Sequence, residues 1–208
     1  MLHQSTVESG TFSLLKKLLE LEELQDFALV GGTALSLKFG HRISVDLDLF
    51  SQQKLDITKI NSRLLFEFDK NFKNENPNIK FAIFCFINDV KIDLVHYPHP
   101  LIKPIEIIDG IRMYSCEDIA AMKINAILGR GAKKDFWDLV ELLKYFSLKQ
   151  IVEFHRKKFP DNTILISIPN AITYFEDAEN SPDPMSLNGQ TWENVKKELQ
   201  KHVREYLS

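Results

Sequence analysis

The chain has 208 residues, of which 44% are hydrophobic and 26% charged, with a formal net charge of -3 at pH 7. This composition is typical of a globular protein and excludes a disordered one. No apolar run approaches the roughly 18 residues of a membrane-spanning helix, and the amino end lacks a signal-peptide pattern. The lack of such a run predicts no membrane partner. Cys85 and Cys116 form no CxxC pair, so we expect reduced thiols and a cytoplasmic location. The acidic balance predicts no generic affinity for nucleic acid, so an RNA partner would need local basic patches.

The first half of the chain shows alternating helical and strand patterns. Leu14, Leu18 and Leu21 recur at i, i+4 and i+7, the apolar stripe of an amphipathic helix, whereas "SVDLDLF" alternates with period two, as a strand does. Pro98, Pro100 and Pro104 indicate a connection. The predicted elements are a helix over 12–25, a strand over 27–30, a helix over about 32–39, a strand over 44–50, a helix over about 57–71, and two strands, 79–87 and 91–97, joined as a hairpin at Asn88-Asp89.

The second half is helical in pattern. Ser115 with Asp118, and Ser147 with Gln150, have the spacing of helix-start capping boxes. A helix is predicted over 133–146 and another at the carboxyl end, in "WENVKKELQKHVREYL". The prediction is an α+β protein: a mixed β-sheet with flanking helices in residues 1–112, followed by a C-terminal helical bundle in residues 113–208.

A glycine pair stands at the predicted turn from the 27–30 strand into the next helix. Gly31 and Gly32 allow the backbone to approach a ligand closely, Thr33 adds a hydroxyl, and the start of a helix attracts anions such as phosphate. A lone glycine pair is usually only a turn. Here it precedes a charged strand in which Asp46 and Asp48 share one face and Val45, Leu47 and Leu49 the other.

Two carboxylates that close repel each other unless a cation neutralises them. Asp93, in the strand "VKIDLVHY", projects toward Asp46 and Asp48 if the two strands are neighbours. Carboxylates beside a phosphate-binding turn are the donor set that Mg²⁺ or Mn²⁺ uses with substrate phosphates, and three of them can hold a metal pair. The sequence therefore predicts a divalent-metal site that works on a phosphate ester.

This combination resembles the nucleotidyltransferase superfold of DNA polymerase beta, and "GGTALSLKFGHRISVDLDLF" is similar to the first motif of the AbiEii/AbiGii toxin nucleotidyltransferases. The later stretch "AAMKINAILGRGAKKDFWDL" is similar to the same family's lysine and K-D-x-x-D motif, and "ITYFEDAENSPDP" with the last helix to its carboxyl end. The resemblance implies NTP binding by Gly31, Gly32, Thr33, Arg42, Ser44, Lys123, Arg130 and Lys134, metal binding by Asp46, Asp48 and Asp93, and catalytic roles for these aspartates, Lys123 and Asp135.

Several assignments have alternatives. Asp138 either positions a lysine or the substrate, or forms a surface ion pair with Lys134 four residues earlier. The basic run 155–159 is either a solvated face or a patch for RNA phosphates. His96 either approaches the site or simply ends a strand. The aromatic residues Tyr174, Phe175 and Trp192 are expected to be packing anchors rather than base-stacking platforms.

The expected activity is metal-dependent transfer of NMP from an NTP to an acceptor hydroxyl, and the resemblance implies a toxin with a separate antitoxin protein and a tRNA 3′ end as acceptor. Two alternatives stay open: a small-molecule or protein acceptor, and a nucleotide-binding module without turnover. We expect a cleft between the two halves because Lys123 must reach the phosphates; the alternative is a single domain capped by the helices.

Overall fold

The computed structural model describes residues 1–129, 131–161 and 166–208, and the chain divides into two compact units. The first unit comprises Met1–Lys38, Ser44–His99 and Ile105–Tyr114, and the second comprises Phe39–Ile43, Pro100–Pro104 and Ser115–Ser208. Two short segments from the first half of the chain thus belong to the second unit. The domain boundary between residues 112 and 113 stays a prediction.

The first unit is built on a mixed β-sheet. Its strands, within the part of the chain that the structure describes, are β1 (Ala28–Val30), β2 (Leu47–Ser51), β3 (Phe72–Asn74), β4 (Ala82–Ile87), β5 (Val90–His96), β6 (Glu106–Ile108) and β7 (Ile111–Met113), in the spatial order β3-β4-β5-β2-β1-β7-β6. The β2–β5 and β1–β7 pairs are parallel, and the other neighbours are antiparallel. The predicted mixed sheet and α+β class are confirmed.

Helices α1 (Ser9–Glu20), α2 (Gly31–Phe39) and α3 (Ile57–Phe68) also belong to this part of the fold. The α1 side chains of Leu15 and Leu18 are fully buried, as the apolar stripe predicted. The helix expected over 12–25 ends at Glu20, and a short 3₁₀ turn follows at Glu22–Leu24. Thus the predicted helix exists, but its last turn is separate.

The strands agree with the sequence patterns only in part. Asn88 and Asp89 both have positive φ, of 50° and 63°, which is the turn expected of a two-residue hairpin. The strand predicted from residue 44 begins at Leu47, so Val45 lies outside it and is 64% exposed, unlike the buried Leu47 and Leu49 with which it was grouped. Strands β3, β6 and β7 were not predicted, although the positive-φ pair Asp109-Gly110 is a recognisable hairpin signal.

The second unit is helical. Its helices are α4 (Cys116–Gly129), α5 (Lys133–Leu142), α6 (Leu148–Lys158), α7 (Ile168–Ala171), α8 (Glu176–Glu179) and α9 (Trp192–Leu207). Helix α4 packs against α5 and α6, and α5 packs against α9. Both predicted capping boxes lie at helix starts: Ser147 and Gln150 bond reciprocally, and the Asp118 amide donates to Ser115 Oγ at 3.0 Å. Among the described helices, none is long and apolar enough to cross a membrane.

An aromatic cluster supports this helical packing. The rings of Phe136, Phe175 and Trp192 meet edge to face, with centroids 5.6–5.7 Å apart. The prediction of packing anchors is therefore confirmed for Phe175 and Trp192. It is wrong for Tyr174, which is 52% exposed.

Candidate active site

Gly31 begins α2 directly after β1, with φ of +70°. A Cβ atom at this position would lie only 2.6 Å from Oδ2 of Asp48. Glycine is therefore required both by the left-handed backbone and by the carboxylate that occupies the space of a side chain. The close approach holds the Asp48 charge against the amino end of a helix, where the macrodipole stabilises an anion.

Side-chain hydrogen bonds from α2 fix the segment that precedes β2. Thr33, 1% exposed, places its hydroxyl 2.9 Å from Ser44 Oγ and donates to the carbonyl oxygen of Asp46. Both hydroxyls therefore bond within the protein and hold the backbone of Asp46. The assignment of Gly32, Thr33 and Ser44 to phosphate binding stays a prediction.

The strand register brings the predicted carboxylates together. Asp48 in β2 lies directly opposite Asp93 in the parallel strand β5, so the two side chains share one face of the sheet. Oδ2 of Asp93 accepts a hydrogen bond from Lys91 Nζ at 3.1 Å. Oδ1 of Asp93 is buried and has no hydrogen-bond partner among the described residues.

Lys91 contributes a cation to this face, although no motif in the sequence pointed to it. Burial alone would lower its pKa, but the hydrogen bond to Asp93 and the charges of Asp93, Asp46 and Asp48 outweigh burial, so the pKa is raised. All three carboxylates are therefore close enough to act on one ammonium group. The K-x-D spacing of Lys91 and Asp93, which puts both side chains on one strand face, was the available signal.

The donor set agrees with magnesium chemistry. Across residues 1–129, 131–161 and 166–208, no group of three or more His, Cys, Asp or Glu side chains has the geometry of a preformed metal site. Mg²⁺ does not require one, because it binds through one or two carboxylates and completes its shell with substrate phosphates and water. The unpartnered Oδ1 of Asp93 is a buried oxygen of the required kind. Asp46, Asp48 and Asp93 as metal ligands stay a prediction that these contacts support.

A second polar cluster, fully within the helical unit, contains Lys123 and Asp135. Lys123 Nζ lies 3.0 Å from Asp135 and 2.7 Å from Asp138. Asp138, which is 0% exposed, accepts from Arg42 Nε at 2.7 Å and Nη2 at 2.9 Å, and its Oδ1 is 2.8 Å from His41 Nε2. Four charged groups are thus closely paired in the interior.

The pKa shifts follow from this pairing. Burial would raise the pKa of Asp138, but the charges of Arg42 and Lys123 hold it well below its usual range. Burial would lower the pKa of Lys123, but the carboxylates of Asp138 and Asp135 raise it. Lys123 and Asp138 are consequently both charged at neutral pH, as the members of a buried pair must be to compensate each other.

These contacts decide one alternative and leave others open. Asp138 is completely buried, so its interpretation as a surface ion-pair partner of Lys134 is wrong. Nucleotide binding by Lys123, Arg42 and the half-buried Lys134 stays a prediction, as does the catalytic role of Asp135. Arg130 lies outside the described residues.

The remaining candidates occupy structural positions. In the basic run 155–159, His155 is 1% exposed and Lys158 is fully buried, with Nζ 2.6 Å from Asp118 Oδ1. Because both side chains are buried, the predictions of a solvated face and of an RNA-binding patch are both wrong for His155 and Lys158. Arg156 and Lys157 of the same run are exposed. His96 is the last residue of β5, opposite Ser51, as the strand-end interpretation predicted.

Comparison with known proteins identifies the family. Residues 13–206 match the model of the family described as nucleotidyl transferase AbiEii toxin, type IV toxin–antitoxin system. The chain belongs to the AbiEii family. It is thus a nucleotidyltransferase toxin, and membership of this family implies an NTP substrate and an antitoxin partner.

The similarity to individual proteins covers nearly the whole chain. An uncharacterized protein of Aquifex aeolicus (strain VF5) is 32% identical over 204 residues, covering 93% of this chain and 94% of that protein. The crystal structure of JHP933 from Helicobacter pylori is 17% identical with a TM-score of 0.59, covering 99% of this chain and 93% of the other. MenT4, a nucleotidyltransferase toxin of Mycobacterium tuberculosis H37Rv, is 14% identical with a TM-score of 0.60, covering 95% and 86%. At these identities the two solved structures show a shared fold.

Proposed function

We propose that this toxin transfers NMP from an NTP to a hydroxyl group of RNA, at the 3′ end of tRNA, in a divalent-metal-dependent reaction. The observation that carries the proposal is the opposition of Asp48 and Asp93 across β2 and β5, beside the glycine that starts α2. A toxin must inactivate something that the cell needs throughout growth, and the tRNA 3′ end offers an accessible hydroxyl that protein synthesis requires. Because neither Cys85 nor Cys116 is in a disulfide, we place the reaction in the reducing cytoplasm.

Each group on this face has a role in the proposal. Asp46, Asp48 and Asp93 would hold Mg²⁺ or Mn²⁺, which when bound supplies charge neutralisation of the triphosphate and a lowered pKa of the attacking hydroxyl. The first amides of α2, at the helix start that Gly31 forms, bind phosphate oxygens. Thr33 and Ser44 act by positioning, because their mutual contact and the Thr33 bond to the Asp46 carbonyl fix the strand that carries Asp48.

The reaction balances without an additional reactant. The acceptor oxygen forms a bond to the α-phosphorus while the bond from that phosphorus to the bridging oxygen breaks, and pyrophosphate leaves. A carboxylate of this acidic face accepts the proton of the attacking hydroxyl as the new bond forms.

The test is a labelling experiment with a charge-matched control. The protein, Mg²⁺ and total bacterial RNA are incubated with each α-labelled NTP separately, for wild type, Asp48→Asn and Asp89→Asn. Asp89 lies at the exposed turn between β4 and β5, with a positive φ that asparagine tolerates, so its variant loses the same charge away from the site.

We expect one NTP to label a tRNA-sized band with wild type and Asp89→Asn, and Asp48→Asn to lose at least a hundredfold of this activity. Wild-type labelling by Asp48→Asn would refute the metal assignment. If no RNA is labelled but NTP is consumed, the acceptor is a small molecule or a protein. Nucleotide binding without pyrophosphate release would indicate a module without turnover.

A further inference from the structure

The acidic face of the sheet contains a cation of its own. Lys91 Nζ lies 3.1 Å from Oδ2 of Asp93, two residues further along β5, and its side chain is 46% exposed. The side chains of residues i and i+2 of a strand point to the same face, so the ammonium group lies over the face on which Asp48 opposes Asp93. The charges of Asp46 and Asp48 also act on this ammonium.

We propose that Lys91 is a built-in counterion that occupies the metal-binding face in the nucleotide-free protein and must leave Asp93 before a divalent cation binds there. This inference rests on the proposed function, because it concerns the same three carboxylates. Lys91 is a positioning residue in this account. It holds mutually repelling carboxylates together when no metal is bound, and it opposes the binding of metal alone.

Lys91 and a metal ion compete for the carboxylate of Asp93. A dication on this carboxylate would lie roughly 5 Å from the ammonium group that bonds to its Oδ2, and the two cations repel each other. Lys91 is only half-buried, so water screens this repulsion and the side chain can swing away. A nucleotide changes the balance, because its phosphates attract the metal and offer Lys91 a new partner.

The consequence is that metal and nucleotide bind together. With Lys91 present, the free carboxylates attract a dication weakly, and the metal enters with the triphosphate that it neutralises. Without Lys91, the three carboxylates repel one another unrelieved, so the metal-free protein is less stable and binds a dication more tightly. Lys91 would thus make the loaded site conditional on substrate.

The test is calorimetric titration with Mn²⁺ alone, without nucleotide, on folded protein checked by circular dichroism. The variants are Lys91→Met, the charge-retaining Lys91→Arg, Asp48→Asn, and Lys73→Met as matched control. Lys73 is exposed on β3, where it pairs with Phe86 of β4, and Phe86 in turn pairs with Lys91 of β5. Two strand spacings therefore separate Lys73 from Lys91, a distance of ~10 Å. At physiological ionic strength that separation exceeds the screening length of about 8 Å.

We expect Lys91→Met to bind Mn²⁺ about tenfold more tightly than wild type, the effect of removing one charge near a dication in a water-like medium. Lys91→Arg and Lys73→Met should stay within about twofold of wild type. Equal or weaker Mn²⁺ binding by Lys91→Met would overturn the role of Lys91. If Asp48→Asn binds Mn²⁺ as well as wild type does, the metal site of the proposed function fails instead, whatever Lys91→Met shows.

Discussion

Replacing Gly31 by alanine tests the link between backbone geometry and chemistry. The φ of +70° costs a non-glycine residue about 1–2 kcal/mol. The new Cβ would also lie 2.6 Å from Oδ2 of Asp48, which is closer than a carbon and an oxygen can approach. Because the clashing atom ends a side chain, rotation of Asp48 relieves the clash for about 1 kcal/mol. The free energy of unfolding should therefore fall by only about 2–3 kcal/mol.

The substitution should also weaken metal binding, in addition to the loss of stability. Relief of the clash requires the Asp48 carboxylate to leave the position in which it opposes Asp93. We expect Mn²⁺ affinity to fall about ten- to hundredfold, the range seen when a ligand loses its support, and labelling of RNA to fall with it.

Gly110→Ala is the matched control. Gly110 lies between β6 and β7 with φ of +81°, and a Cβ there would meet nothing within 4 Å. This variant should lose about 1–2 kcal/mol in urea denaturation and keep wild-type Mn²⁺ affinity, measured by calorimetry. If Gly31→Ala behaves like Gly110→Ala in both measurements, the argument that glycine makes room for the Asp48 carboxylate is refuted.

Two further predictions concern the helical unit. His155 is 1% exposed, and burial lowers its pKa from 6.5 to about 4, so the folded protein binds fewer protons than the unfolded chain below pH 6.5. The lowered pKa of His155 leaves the free energy of unfolding unchanged above pH 6.5 and reduces it as the pH falls toward 4. Urea denaturation should therefore show about 2 kcal/mol less stability at pH 5 than at pH 7, and His155→Leu should abolish this difference. Lys123→Met should cost about 3–5 kcal/mol, because Asp135 and Asp138 lose a buried partner, whereas the exposed Lys144→Met should cost less than about 1 kcal/mol.

The His155→Leu and Lys123→Met measurements can each refute the prediction that they test. An unchanged pH dependence in His155→Leu would mean that other groups cause the acid sensitivity. A Lys123→Met protein with wild-type stability and no labelling of RNA would indicate that Lys123 acts on the nucleotide rather than in the interior.

The sequence predicted those parts of the site that depend on local periodicity. Alternation with period two predicted the face of Asp48 on its strand and of Asp93 on its own, and the glycine pair predicted the turn before α2. That the two aspartates share a face of the sheet depended on their strands being neighbours. The parallel pairing of β1 with β7, through Leu29 and Met113, was not predictable in this way. Nothing in a short strand specifies which distant strand it will pair with.

The buried charges were missed for a related reason. Arg42 and Asp138 are 96 residues apart, and sequence spacing alone suggested Lys134 as the partner of Asp138 instead. His155 and Lys158 could have been recognised, because they follow Ile151 at i+4 and i+7 on the buried face of α6. Their basic character obscured the helical period.

The short segment Phe39–Ile43 limits how this protein can be divided. It belongs to the helical unit, to which it contributes the guanidinium of Arg42 and the imidazole of His41 that bond to Asp138. A fragment that begins at Ser115 would keep Lys123, Asp135 and Asp138 but not these partners, and so would bury Asp138 without the guanidinium that bonds to both of its oxygens. Recombination that exchanges the carboxyl-terminal half alone would meet the same cost. The helical unit can therefore be inherited as an independent module only together with His41 and Arg42, which are encoded some seventy codons upstream of Ser115.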